Sequence, residues 1–275
     1  MPWPDRYRCM CGYGRGQMMD ISNAATCAIA VMAKAPQPGR SKTRLTPPLT
    51  PEQAAALSAA FLRDVTENIA AAGRTAPIHG YIAYAPGGLE ALFDGHIADG
   101  TRLVLADGSP DMPHKVQGFG RCLLHAVRSL LAEGYGSTCV LNSDSPTLPT
   151  SILTRTAKLL AQPGDRAVLG PADDGGYYLL GLKVAHAHLF EDIAWSTESV
   201  AVQTARRARE IGLELVTLPT WYDVDNALSL YRLIDTIDDG TAPEDPSLIP
   251  FSAPVTRTFL EPLGLSLDAL IKKIA

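Results

Sequence analysis

Short apolar runs separated by amphipathic stretches dominate the chain from residue 26 onward. Seven of these runs predict strands: 26–34, 78–85, 103–106, 138–142, 167–170, 177–182 and 213–218. They are brief, and most are bounded by Gly, Pro, Asp or Ser, as buried strands usually are. Between them, apolar positions recur at helical spacing over 51–72, 116–132, 150–161, 197–211 and 226–237. Thr50 reads as the N-cap of the first helix, with Pro51 at its first position and Gln53 where a capping box needs a side-chain acceptor. Gly73, Gly134 and Gly212 follow helical stretches and read as stops. Strands alternating with helices predict a mostly parallel, mixed sheet covered on both faces.

Residues 1–23 lack periodicity and are expected to be a disordered extension outside the fold. Residues 24–240 read as one domain. Residues 241–275 read as an appendage packing on that domain, with an amphipathic stretch at 266–274.

Composition narrows the function classes. Apolar residues make up 46% and charged residues 19%, an ordinary globular balance. A formal net charge of -5 speaks against a general nucleic-acid binder, and no run reaches the roughly 20 apolar residues of a membrane span. The five cysteines are scattered and odd in number, which suits a reducing cytoplasm better than a disulfide framework. Cys9 and Cys11 have no second pair at zinc-ligand spacing.

Ligands of open α/β sheets bind beyond the carboxyl ends of the strands, and the polar clusters of this chain fall there. The first strand leads into Lys34-Ala35-Pro36-Gln37-Pro38-Gly39-Arg40-Ser41-Lys42-Thr43-Arg44-Leu45, a loop with four cations. Backbone N–H groups and Lys/Arg side chains of such a loop can offset phosphate charge, although the spacing is not that of a P-loop. A solvated basic loop is the plainer alternative. Asn142-Ser143-Asp144-Ser145-Pro146 places Asp144 just after a strand, suited to a Mg²⁺ ligand or, alternatively, to a turn cap.

Trp221-Tyr222-Asp223-Val224-Asp225-Asn226 offers either of two acids as a second ligand, or Asp225 as the cap of the last helix. Asp173-Asp174-Gly175-Gly176-Tyr177 reads as a hairpin turn. On a functional reading its glycines admit a close substrate, and Asp174 serves as a base or binds an acceptor hydroxyl. Trp195-Ser196-Thr197 reads as a helix entry capped by Ser196 or Thr197, with Trp195 packing or lining a pocket. His186 and His188 are spaced for one strand face without a third ligand. His114 lies near the end of the third strand, where it can reach substrate; a satisfied structural histidine is the plainer alternative for each of the three. No arrangement for a covalent nucleophile stands out.

Taken together, these motifs resemble the GT-A nucleotide-diphospho-sugar transferase superfamily. Within it, the chain is similar over about residues 26–235 to the rSAM/selenodomain-associated transferase family, whose members are described as glycosyltransferases. The opening loop is also similar to that of 2-phospholactate guanylyltransferase. The resemblance implies a three-layer α/β/α fold, a Mg²⁺ or Mn²⁺ ion on Asp144 with Asp225 as second ligand, and phosphate binding by Lys34, Gly39, Lys42 and Arg44. Two stretches depart from the family pattern: Ser109 to Lys115, and Asn226 to Leu230.

The resulting expectation is a cytoplasmic, metal-dependent transferase. Nucleotidyl transfer from a nucleoside triphosphate to a small phosphorylated or acidic acceptor leads. Glycosyl transfer from a nucleotide sugar is the alternative, and a degenerate nucleotide-binding protein the third reading. Lys42, Arg44, Asp144 and Asp174 are the expected catalytic residues. Gly175, Gly176, Tyr177, Trp195 and His114 are expected to contact substrate. The partners are the donor and a small acceptor, with a homodimer compatible and neither nucleic acid nor membrane expected.

Overall fold

A computed structural model describes residues 23–240, 242 and 245–265. The extension up to residue 22, Cys9 and Cys11, and the stretch 266–274 lie outside the described residues. Asn23, assigned to the extension from sequence, is buried, and its side chain donates to the Glu133 carbonyl.

Seven strands form one sheet: β1 (Cys27–Ala33), β2 (Ile78–Tyr84), β3 (Arg102–Leu105), β4 (Ser137–Leu141), β5 (Arg166–Pro171), β6 (Tyr177–Leu182) and β7 (Glu214–Thr217). Their order is β3-β2-β1-β4-β6-β5-β7. All neighbouring pairs are parallel except those of β6, which runs antiparallel to both β4 and β5. β5 and β6 therefore form the hairpin that the Asp-Gly-Gly turn foretells. The sheet is the mostly parallel mixed sheet of a three-layer α/β/α fold.

Period-2 alternation assigns the two faces. Ile29 and Val31 of β1 join one core, and Ala28 and Ala30 join the other. The first core is covered by α1 (Pro51–Gly73), α3 (Thr150–Leu160), α5 (Ala227–Asp239) and α6 (Pro254–Leu260). The second is covered by α2 (Phe119–Ala132) and α4 (Val200–Glu210). Small alanines on the α2 side let that helix lie close to the sheet; Leu123, Leu124, Val127 and Leu130 fill the space.

α1 begins with the capping box expected of Thr50 and Gln53, whose side chains each accept the other's backbone N–H. Three helix starts differ from the sequence reading. α2 begins at Phe119 rather than Val116, because Gly118 takes φ +54 and Val116 is used in a bridge to Glu191. α4 begins at Val200. Ser196 sits at φ +64 and the Thr197 hydroxyl donates back to the Ala194 carbonyl, so neither caps the helix. α5 is capped by Asn226, not Asp225: the Asn226 side chain accepts from Ser229 N–H, and Ser229 returns the bond. His186 and His188 lie at a 3-10 turn (Ala187–Phe190) instead of a strand.

The chain beyond α5 returns to α1. The buried Asp64 carboxylate accepts the N–H groups of Val255 (3.1 Å) and Thr256 (2.7 Å) at the start of α6.

Candidate active site

β1 and β4 are adjacent and parallel, so the loops after them emerge side by side at the carboxyl edge. The first loop turns tightly at Gln37. Its carbonyl accepts the N–H groups of Arg40 and Ser41, and its own N–H donates to the buried Ser41 hydroxyl (3.0 Å). Leu45 and Leu49 anchor the far end in the core. Between these fixed points Lys42 takes a left-handed φ of 50°, a conformation uncommon for a residue with a Cβ. It sends the ammonium inward, and the side chain is 8% exposed.

Lys42 Nζ lies 2.8 Å from Asp144 Oδ1 and 3.3 Å from Asp225 Oδ1, and it donates to the Val224 carbonyl. Residues from three separate parts of the sequence thus meet at one nitrogen. Both acid loops are held in place. Val224 N–H donates to the Asp144 carbonyl, and the Ser145 hydroxyl donates to the Tyr222 carbonyl. The Thr147 hydroxyl bonds the Tyr222 hydroxyl at 3.0 Å. Ser143 donates to Asp144 Oδ1 at 2.8 Å. With Asn226 serving as helix cap, the Asp225 carboxylate is left to the ammonium.

The local charge is unbalanced. Burial, then the nearby carboxylates of Asp174, Asp225 and Asp144, push the Asp223 carboxyl up to about 7, with Lys42 opposing. One buried ammonium does not neutralise four neighbouring acids, and such a place favours further positive charge.

A cleft of about 390 Å³ opens over this centre. Lys34, Arg40, Lys42 and Arg44 all line it, together with Asp144 and Asp225. The fit for a divalent ion is therefore good in kind: two converging carboxylates, the oxygen donors Mg²⁺ and Mn²⁺ take, beside cations suited to phosphate. Among the described residues no cluster of three or more acids, histidines or cysteines forms a ready metal cage.

The other sequence candidates divide. Tyr177 lines a second, smaller pocket that abuts the cleft at Asp144. Trp195, expected to contact substrate, lines neither cavity; it packs edge-on to Tyr177 (6.5 Å) and Phe119 (5.9 Å). Gly39 shapes the loop turn at φ +71 without lining the cleft. Gly175 and Gly176 line neither cavity; they close the hairpin, where the Asp174 carboxylate accepts Gly176 N–H at 2.8 Å. Gly175 is required by the fold: at φ +88, an added Cβ would sit 2.0 Å from the Glu198 carbonyl oxygen. Asp174 is exposed, and so is His114, which lines neither cavity. Phe119, Tyr84, Cys122 and Ser58 line the cleft and were not singled out from sequence. Only Phe119 carried a signal, an aromatic directly after Gly118.

The chain has an α/β fold like that of a structure described as a nucleotide-diphospho-sugar transferase, with a cation loop and two acids at the sheet edge. Residues 68–197 match the model of the DUF2064 family, described as an uncharacterized protein conserved in bacteria. The chain is similar to a "putative nucleotide-diphospho-sugar transferase" from Desulfovibrio desulfuricans G20. That match has 26% identity and a TM-score of 0.70, and covers 91% of this chain and 98% of the other. Weaker likenesses are to a cytidylyltransferase from Leptospira borgpetersenii (11% identity, TM-score 0.49, 86% and 94% covered) and to CMP:2-keto-3-deoxy-manno-octonic acid synthetase complexed with CTP (10% identity, TM-score 0.48, 78% and 99% covered). No curated protein matches the chain. Among the described residues no helix is long and apolar enough to cross a membrane.

Proposed function

We propose that this chain is a metal-dependent transferase acting on a nucleotide donor, and that it moves a nucleotidyl group from a nucleoside triphosphate to a small acceptor. The observation that carries this reading is the meeting of Lys42, Asp144 and Asp225 under a cleft walled by three further cations. A triphosphate concentrates more negative charge than a nucleotide sugar, and this loop supplies more positive charge than a diphosphate needs.

Asp144 and Asp225 would hold Mg²⁺ or Mn²⁺, which supplies charge neutralisation at the phosphates when bound. The chain's own groups do the rest. Arg40 and Arg44 at the cleft wall grip outer phosphate oxygens, with Lys34 at the mouth. Lys42, whose ammonium lies 2.8 Å from Asp144 and competes with the ion for the two acids, would present its positive charge to the α-phosphate as negative charge builds there. An anionic phosphate or carboxylate oxygen of a small phosphorylated or acidic acceptor attacks the α-phosphorus, the bond from that phosphorus to the bridging oxygen breaks, and pyrophosphate leaves, with no proton to be removed. Catalysis here is positioning and electrostatics, without a covalent enzyme intermediate.

Glycosyl transfer is the second reading, supported by the 26% identity to the protein described as a nucleotide-diphospho-sugar transferase. There the departing group is a nucleoside diphosphate, and Asp174 is the available acceptor base. The test is product analysis over a panel of nucleoside triphosphates and nucleotide sugars with candidate acceptors and Mg²⁺. Pyrophosphate release supports the first reading and nucleoside diphosphate release the second. Binding without turnover across the panel would leave a nucleotide-binding protein that has lost catalysis, and would refute both.

A further inference from the structure

The main cleft is divided by charge. Every charged residue that lines it comes from the loop after β1, from Asp144 after β4, or from Asp225. The strand order β3-β2-β1-β4 carries the same cleft sideways, away from β4 and toward β2 and β3. There the lining is Ala83, Tyr84 and Ala85 at the end of β2, Ala106 just after β3, and Phe119 and Cys122 on the first turn of α2. None of these six is charged. Asp107 and Arg121 stand close by, but neither lines the cleft: Asp107 accepts Ser109 N–H and meets His125, and Arg121 donates to the Gly108 and Pro110 carbonyls.

Two aromatic rings face this uncharged part. Tyr84 is 8% exposed, and its hydroxyl donates to Glu90. Phe119 is 49% exposed. A lone exposed apolar side chain is ordinary on an open surface, but Phe119 stands in a cleft wall and is braced from behind. Trp195 packs edge-on to it, with ring centroids 5.9 Å apart. That indole rests on the start of α2 where side chains are missing: a Cβ on Gly120 would come within 2.8 Å of Trp195 Cζ2, and one on Gly118 within 3.5 Å of Cδ1. Phe119 also borders the smaller pocket beside Ser143 and Asp144, so its ring stands where the uncharged part meets the acids.

On the reading that the cleft takes a nucleotide, we propose that Phe119 is the stacking platform for the nucleobase. The cations and acids take the charged half of the donor, and the uncharged half falls to the side that Phe119 walls. Every base presents a flat π face, so stacking adds affinity without choosing among bases. Both nucleotidyl and glycosyl transfer use a nucleotide donor, so the role holds for either.

The test is calorimetry on the full chain in Mg²⁺ buffer, with the common nucleoside triphosphates and with inorganic triphosphate, which has no base. The unmodified chain should bind its preferred nucleoside triphosphate more tightly than inorganic triphosphate. Phe119→Ala and Phe119→Leu should each weaken nucleoside triphosphate binding about five- to hundredfold, while Phe119→Tyr, which keeps the ring, retains it. Inorganic triphosphate should bind all three variants as it binds the parent, which shows that the phosphate end is intact. Equal losses for both ligands, or nucleoside triphosphate binding that ignores Phe119, would overturn the inference and leave the nucleotide reading standing. No nucleoside triphosphate binding by the unmodified chain would defeat both.

Discussion

Replacing Lys42 with Met keeps the length and apolar stem of the side chain but removes the charge that joins Asp144 and Asp225. The Lys42 side chain is 8% exposed, while those of Asp144 and Asp225 are 30% and 40% exposed. Removing one member of a fully buried ion pair costs about 3–5 kcal/mol, and an exposed pair contributes about 0–1 kcal/mol. This mixed case falls between, at about 2 kcal/mol. For a domain of this size that corresponds to a melting temperature lower by about 4–8 °C. Thermal unfolding in chelator-containing buffer measures it directly. Mg²⁺ should then stabilise Lys42→Met more than the parent chain, because the ion no longer competes with the ammonium for the same carboxylates. A double-mutant cycle with Asp225→Asn should give a coupling of about 1–2 kcal/mol. An unchanged or raised melting temperature in chelator, with equal Mg²⁺ responses, would refute the idea that Lys42 occupies the cation position between the two acids.

Three further outcomes follow from other parts of the structure. Arg44→Ala, at an exposed residue of the cleft wall, should leave unfolding within about 0.5 kcal/mol of the parent while weakening nucleoside triphosphate binding about tenfold by calorimetry, the worth of one charge-assisted bond. Gly175→Ala forces a Cβ to within 2.0 Å of the Glu198 carbonyl at φ +88, so unfolding should show a loss of about 2 kcal/mol or more. Asp64→Ala strips the acceptor from the Val255 and Thr256 N–H groups and should cost about 1–3 kcal/mol. Burial raises the Asp64 carboxyl above its ordinary 3.8, against the pull of those N–H groups. The folded chain therefore holds that proton to higher pH than the unfolded chain. The Asp64 contribution is greatest below about pH 3.8 and declines as pH rises through the raised value, and Asp64→Asn should flatten that slope in a pH series of unfolding curves.

The strands were legible because each is a short apolar run ended by a turn former, and a buried strand needs little else. Helix starts were less so. Gly118 and Ser196 take positive φ and delay α2 and α4 by three residues, a backbone choice that side-chain periodicity does not record. Asn226, rather than Asp225, holds the cap position of α5 with Ser229 three residues on, and Asp225 instead reaches Lys42. The convergence of Lys42, Asp144 and Asp225 could be argued in advance, since all three follow strand ends that a parallel sheet brings to one edge. The small pocket could not. Met32, Leu123 and Val140 look like ordinary core residues in sequence. Asp174 keeps both readings of its motif: its carboxylate makes the turn bond to Gly176 and the residue is exposed.

The shared nucleotide and metal site is tested most directly by thermal unfolding of the parent chain and of Asp144→Ala with nucleoside triphosphates, with Mg²⁺ or with chelator. A triphosphate at 100 times its dissociation constant should stabilise the parent by about 2.7 kcal/mol when Mg²⁺ is present. Asp144→Ala should lose the Mg²⁺-dependent part of that gain. No stabilisation of the parent by any triphosphate, or an identical Mg²⁺ response in the variant, would contradict the account.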